Sequence, residues 1–347
     1  MDRVDFYCRL HRCLCCCVLA LALSGCKGGI CISTNSKVTA EPASTGPVVP
    51  MAVEQVDPCS ALKVAVIDVD GLLLNMDMSG PYSQGENPVA MFHERLTAAA
   101  CDPAVRAVVI RINSPGGGVT ASDIMHHDLQ AFRTRTGRPV IACLMDVGAG
   151  GAYYLATAAD QIVAHPTTIT GGIGVVLNVY NLADAMAQHN VLATPVKSGD
   201  NIDLGSPIKG LDASKRQLLQ TMSDEFHARF CELVTMSRHL TPPLDPKLFD
   251  GRVFTARQAL DLHLINSIGY LDDCIAMARQ AGGAPQASVV LYHRAADRAY
   301  TPYSITPNVP LQSGLFPFSL PGLDRAKLPT FLYLWQPEPT LEKSGGR

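Results

Sequence analysis

The sequence has little charge, and its basic residues are not clustered. Charged residues make up 17% of the 347 residues, and the formal net charge is -3. Without a basic tract to neutralise phosphates, a nucleic acid is not an expected partner. Apolar residues make up 47% of the chain, so most of it is expected to fold, as one large α/β domain or as two small ones.

The sequence also lacks the residue spacings of a metal site. Six of the twelve cysteines fall within the first 26 residues, and the others are widely separated. The six cysteines after residue 26 form no Cys-x-x-Cys pair and no Cys/His cluster with ligand spacing, which argues against a zinc site. We therefore expect neither a metal nor another cofactor.

The apolar run near the N-terminus is too short to span a bilayer. Cys13–Leu23 has 11 residues, whereas a spanning helix needs about 20. The run follows three arginines and leads into Leu23-Ser24-Gly25-Cys26, which resembles the lipobox of bacterial lipoproteins. This pattern predicts a lipoprotein signal peptide over residues 1–25 and a diacylglycerol on Cys26. In the alternative, the segment is a simple secretory signal and Cys26 is incidental.

Composition divides the rest of the chain into three parts. Residues 26–60 lack periodicity and are predicted to be a flexible tether. Residues 61–283 alternate apolar strands with helices, which predicts an α/β domain with a mostly parallel sheet. Residues 284–347 are predicted to be a Pro-rich tail. Its apolar patch, Phe331–Trp335, is expected to pack on its own domain or on a neighbour, or alternatively to contact a membrane.

A glycine-rich segment follows one of the predicted strands. We predict a strand over Val105–Ile112, a sharp turn over Asn113–Gly118, and a helix from Thr120 to Thr134 capped by Thr120 or Ser122. Backbone amides at such a turn lie near the positive end of the helix, and glycine lets a ligand approach them closely. They can therefore stabilise the oxyanion of an acyl-transfer intermediate. The alternative is a tight turn that binds no ligand.

Several segments together resemble the signal peptide peptidase A (SppA) family of serine peptidases. They are Arg111–Gly118, Asp146–Tyr154, Thr168–Val175, Lys197–Gly199 and Asp250–Phe254, in that order along the chain. The resemblance covers roughly residues 62–282 and implies a Clp protease/crotonase-like layered fold. It is specific because the segments occur together in the right order.

The resemblance also implies roles for the glycines of the first segment. Gly117 is the expected oxyanion donor, and Gly116 and Gly118 flank it. Ser114 lies on the oxyanion side of the motif, so we interpret it as a turn residue and not as a nucleophile.

Both catalytic positions of this family hold other residues here. The family's nucleophilic serine lies in Ala-Ser-Gly-Gly-Tyr-Tyr, and Tyr153-Tyr154 sets the register, so the serine position is Gly150. The family's general base is the second lysine of Lys-Ser-Gly-x-x-Lys-Asp, and that position is Ile202. Because a serine–lysine dyad needs a hydroxyl and a neutral amine in contact, the sequence predicts a degenerate peptidase.

Two structural expectations accompany this prediction. Gly150 is expected to have ordinary helix-entry backbone angles, and Ile202 is expected to lie in apolar, buried surroundings. On that basis, Gly150→Ser combined with Ile202→Lys is expected to restore turnover, whereas each single substitution does little.

Other chemistry-bearing residues offer weaker alternatives. Lys197 with Ser198 or Ser206 would form a relocated dyad, although a different backbone path would be required. Asp146, Asp203 and His165 would form a metal or acid–base site. The pair His126-His127, with Asp123 one turn earlier, is interpreted as a solvated helix face.

Three functions remain open from the sequence. The first is an envelope lipoprotein that binds peptides or signal-peptide remnants without cutting them, as a homo-oligomer or together with an active paralogue. The second is an active serine endopeptidase that degrades signal peptides or membrane-associated peptides with a relocated nucleophile. The third is a crotonase-like acyl-thioester enzyme. The predicted location argues against this third function. That location is the bacterial cell envelope, with the protein anchored to a membrane and facing the periplasm or the exterior.

Lipidation is tested by removing the acceptor sulfur. Because a lipid on Cys26 would hold the protein at a membrane, we expect Cys26→Ala to move it into the soluble envelope fraction. Fractionation followed by immunoblotting measures this, with Cys31→Ala as the matched control. Unchanged membrane association of Cys26→Ala would contradict the lipid anchor.

Overall fold

The computed structural model describes residues 46–57, 60–77, 79–80, 83–84, 86–294, 297, 299–304 and 331–335. The predicted signal peptide and Cys26 lie outside these residues. The described strands are β1 (Val48–Glu54), β2 (Lys63–Leu73), β3 (Ser79–Gly80), β4 (Ser83–Gln84), β5 (Val105–Gly118), β6 (Val140–Ala149), β7 (Gln161–Ala164), β8 (Ile169–Gly171), β9 (Val253–Thr255), β10 (Ser267–Ile268), β11 (Ser288–Arg294) and β12 (Leu332–Leu334).

Helices alternate with these strands. They are α1 (Pro88–Cys101), α2 (Val119–Thr136), α3 (Gly151–Ala156), α4 (Ala183–Gln188), α5 (Ala213–Ser237), α6 (Ala256–Asp261) and α7 (Leu271–Ala281), with a 3₁₀ turn over Pro246–Phe249. Within the described ranges, no helix combines the length and the hydrophobicity that crossing a membrane requires.

The main sheet is mostly parallel, which confirms the predicted fold class. Its central order is β1-β11-β2-β5-β6-β7-β10, and every neighbouring pair from β11 to β10 is parallel. Strands β2, β5 and β6 are nearly continuous runs of apolar residues, as expected of strands covered on both faces.

Alternate residues of these strands face two separate cores. Ala65, Ile67 and Ile110 belong to the larger core, which contains α1 and α2. Val64 and Val66 belong to the smaller core, on which α7 packs. The sheet therefore lies between two layers and holds the ends of its central strands in fixed positions.

The predicted sharp turn over Asn113–Gly118 is wrong, because β5 continues as a strand to Gly118. Two partners keep this segment extended: β2 pairs with it through Leu73, opposite Gly117, and β12 pairs with it through Leu332, opposite Gly118. Helix α2 begins directly afterwards at Val119. It has no side-chain cap, contrary to the prediction for Thr120 or Ser122.

The folded unit also extends beyond the predicted boundaries of residues 61 and 283. Strand β1 lies within the segment predicted to be a tether, and it pairs antiparallel with β11 from the segment predicted to be a tail. Side chains reinforce this edge, since Arg294 forms ion pairs with Glu86 and Glu94. Short apolar segments at the ends of a domain lack the periodicity that marks its central strands, and pairing decides their structure.

Candidate functional site

Two strand–helix junctions lie side by side at the carboxyl ends of β5 and β6. These strands are parallel, and Ser114 of β5 lies opposite Gly148 of β6. Helix α2 begins after Gly118 and helix α3 begins after Gly150. The topology thereby brings the two predicted site segments together, although they are far apart in the sequence.

Gly150 has a backbone conformation that other residues rarely adopt. Its φ is 56° and its ψ is -126°, so the expectation of ordinary helix-entry angles is wrong. The Gly150 amide donates to the Gly171 carbonyl oxygen (2.9 Å), and the Gly150 carbonyl accepts from the Tyr154 amide (2.9 Å). These bonds fix a sharp strand–helix turn of the kind on which hydrolases place a nucleophilic serine.

The direction in which a serine side chain would extend is already occupied. A Cβ atom added to Gly150 would lie 2.4 Å from the carbonyl oxygen of Tyr333, in β12. A Cβ added to Gly116 would lie 2.0 Å from the same oxygen. Real Cβ atoms do not approach an oxygen this closely, so the two glycines allow the backbone of β12 to enter.

Gly117 is constrained from the opposite side. A Cβ on this residue would lie 2.1 Å from the carbonyl oxygen of Leu73 in β2. Its lack of a side chain therefore has a packing reason in addition to the predicted oxyanion role. Ser114 is fully buried, and its Oγ accepts the Gly116 amide (3.1 Å), which agrees with a backbone-supporting role.

Strand β12 lies in a slot between the end of β5 and Val176. Leu332 and Val176 exchange both backbone hydrogen bonds, at 2.9 and 3.0 Å. On the other side, the Trp335 amide donates to the Pro115 carbonyl (3.0 Å), and the Val119 amide donates to the Phe331 carbonyl (3.2 Å). We call the space between Pro115–Val119 and Val176 the peptide slot.

Ile202, at the position predicted for the general base, lies at the surface. Its side chain is 73% exposed, so the prediction of apolar, buried surroundings is wrong. It lies in a turn segment, stabilised by ion pairs from Asp203 to Lys197 (3.0 Å) and to Lys209 (3.2 Å). The ion pairs hold this turn at the surface, where the Ile202 side chain is exposed to water.

The ion pair also counts against Lys197 as a relocated base. The hydrogen bond to Asp203 raises the pKa of Lys197 above its usual value, and a general base must be neutral. Ser198 is exposed on the same segment.

Hydroxyl groups near the junctions serve the backbone. Ser122 Oγ donates to the Gly118 carbonyl (2.9 Å), and Thr170 Oγ1 donates to the Gly148 carbonyl (2.7 Å). A nucleophilic hydroxyl would instead donate to a base. The Tyr153 hydroxyl likewise donates to a backbone carbonyl, that of Leu264 (2.7 Å), whereas the Tyr154 hydroxyl donates to the Asp123 carboxylate (2.6 Å).

The chain is similar in sequence to known peptidases. A family model described as peptidase family S49 matches residues 133–284, which include Gly150 and Ile202. Protease 4 of Salmonella typhi is 31% identical over 217 residues, covering 62% of this chain and 34% of that protein. A protein of Enterococcus faecium named for signal peptide peptidase SppA is 26% identical over 230 residues, covering 66% of this chain and 67% of that protein.

Residues 133–284 of this chain match the domain of peptidase family S49. The resemblance to SppA seen in the sequence is thereby confirmed at the level of the family. A further relative, the chloroplastic serine protease SPPA of Arabidopsis thaliana, is 29% identical over 226 residues, which cover 64% of this chain and 33% of that protein. The chain thus spans about a third of the length of Protease 4 and of the Arabidopsis protein.

A solved structure of a membrane-bound stomatin-specific protease also matches. Its TM-score is 0.38 at 14% identity, and the match covers 62% of this chain and 84% of that chain. This likeness is too low to carry an argument about the site.

His126 shows that one face of α2 is less solvated than predicted. The interpretation of His126-His127 as a solvated face holds for His127 but is wrong for His126, whose side chain is buried against the ring of Tyr154 (5.1 Å between centroids). Burial lowers the pKa of His126 to about 4, which outweighs the attraction of Asp123. Both histidines border a cleft of about 750 Å³ whose lining residues include neither Gly150 nor Gly117.

This buried histidine makes stability depend on pH. His126 takes up its proton near pH 6.5 when unfolded and near pH 4 when folded, so its stabilisation is present above 6.5 and is lost as the pH falls towards 4. The loss is roughly 3 kcal/mol. We expect His126→Phe to remove this part of the acid sensitivity in urea unfolding between pH 7 and 4.5.

The matched control is His127→Phe, because His127 is exposed. It should leave unchanged the slope of the unfolding free energy against pH. Asp70 acts in the opposite direction, because burial raises its pKa to about 6, so the wild-type and variant slopes are compared with each other and not with zero. Equal slopes for wild type and His126→Phe would contradict the assignment.

Proposed function

We propose that this S49 member is a catalytically degenerate envelope lipoprotein that binds extended peptides without cleaving them. The observation that carries the proposal is at the β6–α3 junction, where a turn suited to a nucleophile holds a glycine against a peptide carbonyl. Gly150 holds the turn on which a serine nucleophile would sit, but it supplies no oxygen, and a peptide carbonyl lies directly against it.

The missing base supports the same conclusion. Hydrolysis by a serine–lysine dyad requires a desolvated amine beside the hydroxyl. Ile202 has no amine and is exposed, and the ammonium of nearby Lys197 is held by Asp203. Both halves of the dyad are therefore absent.

Peptide binding is supported by the architecture of the slot. The slot offers amide donors and carbonyl acceptors on two sides, at the Pro115–Val119 edge and at Val176. Adding a strand to an open sheet edge is a common way to bind extended peptides, because the main-chain bonds do not depend on sequence. The glycines keep side chains out of the strand's path.

Anchoring and assembly complete the proposal. A lipid on Cys26 would place the slot at a membrane surface, where signal-peptide remnants arise. Exposed apolar side chains on the segment before α5, namely Leu192 (81%), Val196 (102%) and Ile202 (73%), support a homo-oligomer, with or without an active paralogue.

Catalytic degeneracy is tested with the purified wild-type protein. We expect no labelling by a fluorophosphonate probe, since glycine has no hydroxyl to phosphonylate, and no hydrolysis of fluorogenic apolar peptides above buffer. Gly150→Ser with Ile202→Lys should also remain inert, because residue 202 is exposed and a serine at 150 meets the Tyr333 carbonyl.

An active S49 peptidase serves as the positive control for probe and substrate. Gly117→Ala is unsuitable as an oxyanion-defective control because its Cβ would meet β2. Wild-type turnover that the probe abolishes would refute the proposal.

Oligomerisation is tested by light scattering at micromolar concentration. We expect a multimer for wild type, and a smaller species for Leu192→Ser with Val196→Ser, because these side chains would lose buried apolar contacts with a neighbouring copy. Exposed Leu218→Ser on α5 is the matched control. A monomeric wild type would contradict the homo-oligomer.

A further inference from the structure

The occupant of the peptide slot is part of the same chain. Phe331–Trp335 forms a strand whose central carbonyl, that of Tyr333, lies between Gly116 and Gly150. A bound substrate peptide would place the carbonyl of its reacting bond beside the nucleophile position and the oxyanion glycines. The segment therefore sits as a peptide ligand would.

The side chain of Tyr333 fills a closed aromatic pocket. Its ring is fully buried, stacked on Tyr154 (5.2 Å between centroids) and tilted against Phe230 (4.7 Å). Its hydroxyl donates to the Phe226 carbonyl oxygen (2.7 Å). Burial raises the pKa of Tyr333, so this hydroxyl keeps the proton it donates. The pocket thus has apolar walls and one acceptor at its end.

A second aromatic contact lies two residues earlier. Phe331 packs edge-on against Phe226, with ring centroids 5.0 Å apart. Residues i and i+2 of a strand point to the same face, and Phe226 and Phe230 lie one turn apart on α5. The helix therefore presents two aromatic side chains at the spacing of alternate residues in an extended peptide.

We propose that the peptide slot selects extended peptides with aromatic residues at two alternate positions, tyrosine at the second, and that Phe331–Trp335 is a built-in occupant which any other peptide must displace. This rests on the proposed peptide-binding function and adds the ligand class and a competing segment.

Phe331–Trp335 competes strongly with free peptides for the slot because it belongs to the same chain. Residues 305–330 separate Ser304 from Phe331, and 26 residues can span up to about 85 Å. A ligand tethered by a connection long enough to reach its site has an effective concentration on the order of millimolar. External peptides at micromolar concentration would therefore bind weakly until the tail leaves.

The sequence provides its own reporter, because Trp335 is the only tryptophan in the chain. We would compare the wild type with Tyr333→Ser, with a chain ending at Ser304, and with Tyr300→Ser as a matched control, since Tyr300 is 75% exposed. Acrylamide quenching of Trp335 measures seating of the segment. Circular dichroism confirms that each variant is folded.

The ligands are fluorescein-labelled peptides without tryptophan. One contains FLYLF, the other FLSLF, each between lysines for solubility. We expect Trp335 to be shielded in wild type and in Tyr300→Ser, and freely quenched in Tyr333→Ser. Excess FLYLF peptide should unshield Trp335 in wild type.

Anisotropy should show FLYLF binding to the chain ending at Ser304 about 100-fold more tightly than to wild type. FLSLF should bind at least about tenfold more weakly than FLYLF, because it loses the ring stacking and burial. Tyr333→Ser gives the same comparison if the shortened chain does not fold.

Each contrary result has a distinct meaning. If FLYLF binds wild type and the tail variants equally, and Trp335 is quenched equally in wild type and in Tyr333→Ser, the built-in occupant is refuted while peptide binding stands. If FLYLF and FLSLF bind alike, the aromatic selectivity is refuted. If the folded tail variants bind neither peptide, the proposed function falls together with this inference.

Discussion

Three backbone segments meet in this protein at a point where no Cβ atom fits. The ends of β5 and β6 and the inserted strand β12 converge at Gly116, Gly117 and Gly150. Gly116 and Gly150 both face β12, whereas Gly117 faces β2. The peptide slot, its occupant and the empty nucleophile position all depend on this close packing of main chain.

The same constraint separates binding from catalysis. A peptide strand can be held by main-chain hydrogen bonds alone, which the slot supplies from Pro115–Val119 and Val176. Cleavage would need a hydroxyl and an amine at positions that here hold Gly150 and the exposed Ile202. In the proposed degenerate peptidase, glycine at this position would remove both the nucleophile and the side chain that would meet the bound carbonyl. Loss of chemistry and tight occupation of the slot would then have one structural cause.

Local sequence patterns predicted the central strands and the mostly parallel sheet, because buried parallel strands have apolar runs that need no knowledge of their partners. The resemblance to SppA supplied the two site segments. The remaining features depend on distant residues. The extension of β5 through Gly118 requires β12, and β1 requires β11. The Gly150 turn includes a hydrogen bond to the distant Gly171, and the segment that carries Ile202 includes the ion pair between Asp203 and Lys197. The apolar patch Phe331–Trp335 was visible in the sequence, but its docking against Gly116 and Gly150 was not.

Amide hydrogen exchange at Leu332 and Trp335 tests the central claim most directly, because these amides donate to Val176 and Pro115 across the slot. Exchange in the full-length wild-type protein, followed by mass spectrometry or NMR, should be at least about 100-fold slower at both amides than in an unstructured peptide of the same sequence. Protection should be lost in Tyr333→Ser. Exchange of both wild-type amides at the unstructured rate would contradict the account, because the slot would then be empty.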